Sequence, residues 1–232
     1  MWNKPKQHDA FVITITPRTI TYSHLSRSTN EPKIQLQSHD IEIFDTLELE
    51  KLIVFNPTII TNRIQNHYRT IANQSIPVLM ALNGPSLFAK IISSSKAHPS
   101  LEQLNLPHTP HMQWAHRYLY SHDHRHYFYV CGLPQQILLQ FQLVSITAQL
   151  PLRLISTEHM ALLHLYRYLS GTAFRHSELG AALTKRNNNI EQLFSKDDLP
   201  RVLSIPTSQA VANENPISLL TACGLFVSEG FS

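Results

Sequence analysis

An α/β (α+β) fold with mixed sheets is what this sequence predicts, and three observations carry that prediction. The chain opens on runs that alternate large apolar and β-branched residues, FVITI (residues 11–15) and TITYSHL (residues 19–25), the period-two pattern of half-buried strands. Stretches with apolar residues at spacings of three and four follow, the pattern of helices that bury one face. Strand-like and helix-like segments then keep alternating to the end of the chain, which excludes an all-α or all-β architecture.

The first two runs are joined by Thr16-Pro17-Arg18-Thr19, a tight turn between two strands. KIQLQ (33–37) and IEIF (41–44) read as further strands, set off by turn signals such as Asn30-Glu31-Pro32. Asp45 is placed to cap a short helix running through Val54. Pro57 suits the start of a second helix over residues 56–74, in which Ile60, Ile64, Tyr68 and Ile71 form one apolar stripe. VLMAL (78–82) is a buried-type strand that ends at Asn83-Gly84-Pro85. Residues 93–111 are polar and broken by prolines, a loop with one helical turn.

MQWAHRYLY (112–120) and HYFYVCGL (126–133) are two strands separated by SHDHR. Leu133-Pro134 opens a helix with Ile137, Phe141, Val144 and Ala148 on one face. PLRLI (151–155) is a strand, and Ser156 or Thr157 caps a helix over residues 157–169. From Gly171 to Asn215 the pattern weakens to polar, Asn-rich sequence around one short strand, RVLSI. A helix in ISLLTACGLFVSEG (217–230) closes the chain.

Bulk properties exclude several classes. At 232 residues the chain can bury a substantial core. A net charge of +3 does not by itself point to nucleic acid. Two cysteines, Cys131 and Cys223, stand far apart in no metal or redox spacing, which fits a reducing cytoplasm. The N-terminal MWNKPKQHDAF has no apolar signal core, and the longest largely apolar run, residues 217–227, is far short of the roughly 20 residues that span a bilayer.

The phosphate-binding and nucleophile motifs are absent: no G-x-x-x-x-G-K-S/T, no G-x-G-x-x-G, no G-x-S-x-G. The six glycines are scattered, so no stretch lets a backbone wrap a phosphate without Cβ atoms in the way. His122, His124 and His126, spaced by two with Asp123 between them, would share one face of a strand and suit zinc or copper. A polar hairpin tip is the reading that the flanking strands favour, with a metal site the lesser alternative, and His108, His111 and His116 add little. Trp114, Arg117, Tyr118, Tyr120, Arg125, Tyr127 and Tyr129 offer a stacking surface for single-stranded DNA. Cross-strand aromatic pairs account for the same residues without a ligand.

The order of the pieces resembles a known family. The opening hairpin FVITITPRTITYSHL is followed by FNPTIITNRIQNHYRTIANQSIPVLMALNGPSLFAKII, then by YFYVCGLPQQILLQFQLV and PLRLISTEHMALLHLY, and the chain ends in TACGLFVSEG. This succession resembles the PilM family of actin-like cytoplasmic proteins of type IV pilus assembly, in particular its short, divergent HofM and competence-type members. The likeness runs through residues 11–169 and returns in the last dozen.

The resemblance implies a truncated actin-like (ribonuclease H-like) fold. Residues 1–169 would form the first domain, with an inserted small α/β subdomain at about 77–149, and 170–232 a reduced remnant of the second. It implies a cytoplasmic scaffold at the inner face of the inner membrane, holding the tail of a PilN-like bitopic protein, with its Asn-Leu-Leu-Pro-like motif, in a groove of the first domain. Leu79, Ala81, Phe88, Ile91, Tyr129 and Leu138 are the candidate groove residues. ATP-binding members carry an Asp with glycines or serines at the first hairpin and a second acidic hairpin later. Here the first turn is Thr16, Pro17, Arg18 and Thr19, with no acid for magnesium and no N–H on Pro17, and no D-x-G follows Leu169. The expectation is therefore a non-catalytic protein without a cofactor. A residual ATPase, a histidine-metal enzyme and a single-strand DNA binder of a competence system are the alternatives.

Overall fold

The computed structural model describes residues 7–45, 49–71, 75–107, 111–171, 176–186, 189–206 and 216–229. Strands β1 (Gln7–Ile15), β2 (Thr19–Ser28) and β3 (Ile34–Ile43) form an antiparallel meander. A small hairpin, β4 (Leu49–Glu50) and β5 (Ile53–Val54), precedes α1 (Pro57–Arg69). Next comes β6 (Val78–Leu82), parallel to β1. An antiparallel three-stranded sheet of β7 (Phe88–Ser94), β8 (Met112–His122) and β9 (Arg125–Pro134) follows. The chain returns through α2 (Gln135–Thr147) to β10 (Leu152–Thr157), parallel to β6, and α3 (Glu158–Ser170). The last part holds α4 (His176–Lys185), α5 (Leu199–Val202), β11 (Leu203–Ser204) and α6 (Pro216–Ser228).

The main sheet has the order β10-β6-β1-β2-β3-β11. Three meandering strands followed by two parallel ones is the ribonuclease H-like arrangement that actin-like domains share. Strand β1 lies inside it and alternates strictly. Phe11, Ile13 and Ile15 enter one core, with α1 and α2; Ala10 and Val12 enter the other, with α3 and α6. A period of two thus builds a helix–sheet–helix sandwich. The first expected hairpin, the helix at Pro57, the strand at 78–82 and the hairpin over 112–134 all form. Asn56 caps α1 by accepting from the Ile59 N–H at 3.3 Å, and Thr157 caps α3 by accepting from the Met160 N–H at 3.3 Å.

Several expectations are corrected. Asp45 starts no helix through Val54: β4 and β5 turn about Lys51 and Leu52, both at positive φ, a two-residue hairpin geometry. Leu52 is buried in the core that α2 covers, which holds it in that uncommon conformation. KIQLQ and IEIF are one strand, β3, rather than two. Helix α1 ends at Arg69, and residues 72–74 of the expected helix lie outside the described residues. Strand β7 and helix α4 form in stretches whose sequence shows no clear strand or helix period.

The inserted subdomain is narrower than 77–149. Strand β6 belongs to the main sheet, and α2 packs Ile137, Phe141 and Val144 onto that sheet, so the insertion is the β7–β9 sheet with its connecting 3₁₀ turn Leu101–Leu104. Nor do the described residues beyond 169 form a separate body. Strand β11 extends the main sheet beside β3, and α6 lies against α3, β1 and β6 with its residues from Ser218 to Val227 buried. Gly224 lets this happen: a Cβ there would stand 2.1 Å from the Ala161 carbonyl oxygen of α3.

Candidate functional site

Two places bring chemistry-bearing residues together. The first is the end of the main sheet where β1 turns into β2 and where β6 and β10 finish. The Thr16 N–H donates to the Thr19 carbonyl at 2.9 Å, and the Thr19 N–H donates to the Thr16 hydroxyl at 3.1 Å. The two threonine hydroxyls also bond each other, and the Arg18 carbonyl accepts from the Phe44 N–H. Pro17 has no N–H to offer. Both threonine N–H groups and both threonine hydroxyls are thus engaged within the turn, and the Arg18 side chain is exposed.

Beside it, the Asn83 side-chain amide donates to Glu158 at 2.6 Å. Glu158 is buried at the first turn of α3. Burial pushes its carboxyl up to about 9, helped by the nearby Glu191 carboxyl. The shift favours the protonated acid at neutral pH, and the side chain joins the end of β6 to the start of α3 through Asn83 while facing Glu191 of the 3₁₀ turn Ile190–Leu193. Burial also pushes the adjacent Cys131 thiol up to about 12, with a hydrogen bond to Thr157 acting the other way; such a thiol is unreactive. Sequence reading missed Glu158 and Glu191. The available signal was a carboxylate directly after a capping Thr at the head of a strongly apolar helix.

The second place is a cleft of about 130 Å³ between the two sheets. Gln113, Trp114 and Ala115 of β8 form one wall, and Ile155, Ser156 and Thr157 of β10 the other. Cys131, Leu133, Leu138 and Met160 make its floor. Both walls are edge strands, β8 of the small sheet and β10 of the main one. An apolar floor between two edge strands suits an extended peptide, whose side chains would fill the floor while its backbone meets a strand edge.

Of the six groove residues expected from sequence, Leu138 lines this cleft. Phe88 reaches it through Trp114, with the rings edge-on at 5.2 Å. Ile91 is half-buried and, with Phe88, borders a separate depression against Leu104 and Pro107. Leu79, Ala81 and Tyr129 are corrected: each is fully buried in the core and offers no groove wall. Leu79 and Ala81 lie on β6, which has strands on both sides, so their faces are covered by helices rather than open.

The histidines do not converge. His122 ends β8 beside Asp123 at 3.2 Å, His124 sits in the turn at φ 59°, and His126 on β9 bonds the Ser121 hydroxyl at 2.7 Å. The chain reverses within the cluster, so the spacing of two does not put them on one strand face. Among the described residues no group of three or more His, Cys, Asp or Glu is placed to hold a metal ion; His108 lies outside them. The aromatics of this sheet pair across strands, Tyr120 on Tyr127 at 4.5 Å and Tyr118 on Phe128 at 5.7 Å, and Tyr129 is inaccessible for base stacking.

No family model and no curated protein matches this sequence. Solved structures do. A chain of a PilM-PilN type IV pilus biogenesis complex superposes with a TM-score of 0.55 at 13% identity, covering 69% of this chain and 51% of that one. The chain has a PilM-like actin fold. It spans about half the length of that relative. The cytoplasmic domain of EpsL, an inner-membrane component of the type II secretion system of Vibrio cholerae, matches at 0.42 and 9% identity, over 66% of this chain and 57% of its own. A Bacteroides thetaiotaomicron protein with an actin-like ATPase fold and unknown function matches at 0.38 and 10% identity, over 70% and 57%. No helix among the described residues is long and apolar enough to cross a membrane.

Proposed function

We propose that this chain is a non-catalytic, cytoplasmic scaffold of a type IV pilus, DNA-uptake or secretion machine, and that it holds the cytoplasmic tail of a PilN-like inner-membrane protein. The observation that carries the reading is the apolar cleft between the edge strands β8 and β10, in a fold shared with a chain of a PilM-PilN complex. A tail with an Asn-Leu-Leu-Pro-like motif would seat its two leucines on Leu133, Leu138 and Met160, and apolar anchors of this kind supply most of a peptide's affinity. The self-bonded turn at Thr16 to Thr19 and the neutral, internally bonded Glu158 support a binding role over phosphate chemistry.

A pull-down with an immobilised tail peptide tests the reading. The wild-type chain should be retained, and Ile155→Lys, which puts a charge on the cleft wall, should pass through. A magnesium–ATP titration bears on the non-catalytic part: micromolar affinity would overturn it.

A further inference from the structure

The cleft between β8 and β10 leads on from its apolar floor to a basic end. On β8, Gln113, Ala115 and Arg117 share one face, because side chains alternate along a strand. Ala115 pairs with Cys131 of the cleft floor, and Arg117 pairs with Tyr129, one step farther along. On α3, Met160 of the floor is followed at spacings of four and three by His164 and Arg167, which share its face. Strand and helix thus run together from an apolar stretch to a basic one. The charge of Arg117 reaches both His164 and Arg167, which sets the three side chains in one cluster. Arg117 is exposed, and His164 and Arg167 are half-buried. Burial and then the charge of Arg117 lower the pKa of Arg167, so the cationic form is disfavoured there and a nearby anion would offset the repulsion. His164, lowered to about 4, is neutral at pH 7 and adds a hydrogen-bonding ring nitrogen, while both arginines keep their charge.

We propose that this basic end receives a carboxylate, so that the peptide held in the cleft carries a Glu or Asp close to its apolar anchors. The inference rests on the cleft being a peptide site. Charge complementarity selects the residue, since a guanidinium meets a carboxylate through two parallel hydrogen bonds. Distance sets its place. Arg117 lies two residues beyond Ala115, about 7 Å along the strand. Arg167 lies seven residues beyond Met160, about 10 Å along the helix. An extended peptide spans either length in two or three residues.

Anisotropy titrations of the whole chain with four labelled tail peptides test this. Each peptide carries one glutamate or one glutamine, placed three residues before or three residues after its leucine pair. At one of the two placements the glutamate peptide should bind at least about fivefold more tightly than its glutamine counterpart, and added salt should shrink the difference. Arg117→Gln, a change at an exposed position, should abolish the preference with an unchanged melting temperature. Equal binding of glutamate and glutamine peptides at both placements would overturn this inference and leave the cleft reading standing. So would a preference that Arg117→Gln retains. No binding of any of the four peptides would overturn both.

Discussion

At the scale of single residues, Glu158 is the most informative side chain. Its pKa in the folded chain, raised to about 9, compares with about 4.3 for a free glutamate. The folded state thus keeps this proton after the unfolded chain has lost it. The stability that results is complete below the unfolded pKa and drains away as pH rises toward the folded one. His164 acts at the other end. Burial, followed by the charges of Arg117 and Arg167, lowers it to about 4, so its neutral form favours the fold and that contribution is lost as pH falls from about 6.5. Glu158→Gln keeps a neutral hydrogen-bonding side chain and removes the titration. Melting temperatures measured from pH 5 to about 9 should decline less steeply on the alkaline side for the variant, and parallel curves would contradict the assigned proton. This residue was open to sequence reading only as the polar head of an apolar helix. Its partner Glu191 lies 33 positions away in a stretch without periodicity, so no local pattern links them.

At the scale of elements, legibility follows the contrast between a segment's faces. Strand β1 and helix α1 were readable because each separates buried from exposed or oppositely buried positions at its own period. The β4–β5 hairpin was not, because its turn rests on Lys51 and Leu52 at positive φ, positions that composition assigns to glycine or asparagine. The cleft was legible only through Leu138, since five separate elements build it. The α3–α6 crossing makes a sharper prediction. Gly224→Ala would press a methyl into the Ala161 carbonyl, and backbone on both sides leaves little room to yield. It should destabilise the protein by about 1–3 kcal/mol, read as a lowered denaturation midpoint, and an unchanged midpoint would refute the close packing.

At the scale of the whole molecule, the described residues beyond 169 complete the sheet and the helix layer that the earlier residues build. Helix α6 shares one core with α3, β1 and β6, and β11 closes the sheet at β3. The boundary expected at residue 169 is therefore not a boundary of stability. A chain ended after Leu169 should show no cooperative unfolding transition by circular dichroism, and a sharp transition like that of the full chain would show that the first 169 residues fold alone. What the finished domain presents is a cleft between two edge strands, and the account rests on that cleft being a peptide site. The most direct measurement is an anisotropy titration of a labelled tail peptide bearing the Asn-Leu-Leu-Pro-like motif, with the wild type and with Ala115→Arg, an exposed cleft-wall position that the core does not use. The wild type should bind saturably, and the variant at least about tenfold more weakly with its melting temperature kept. Absence of binding to the wild type, or equal binding to both, would contradict it.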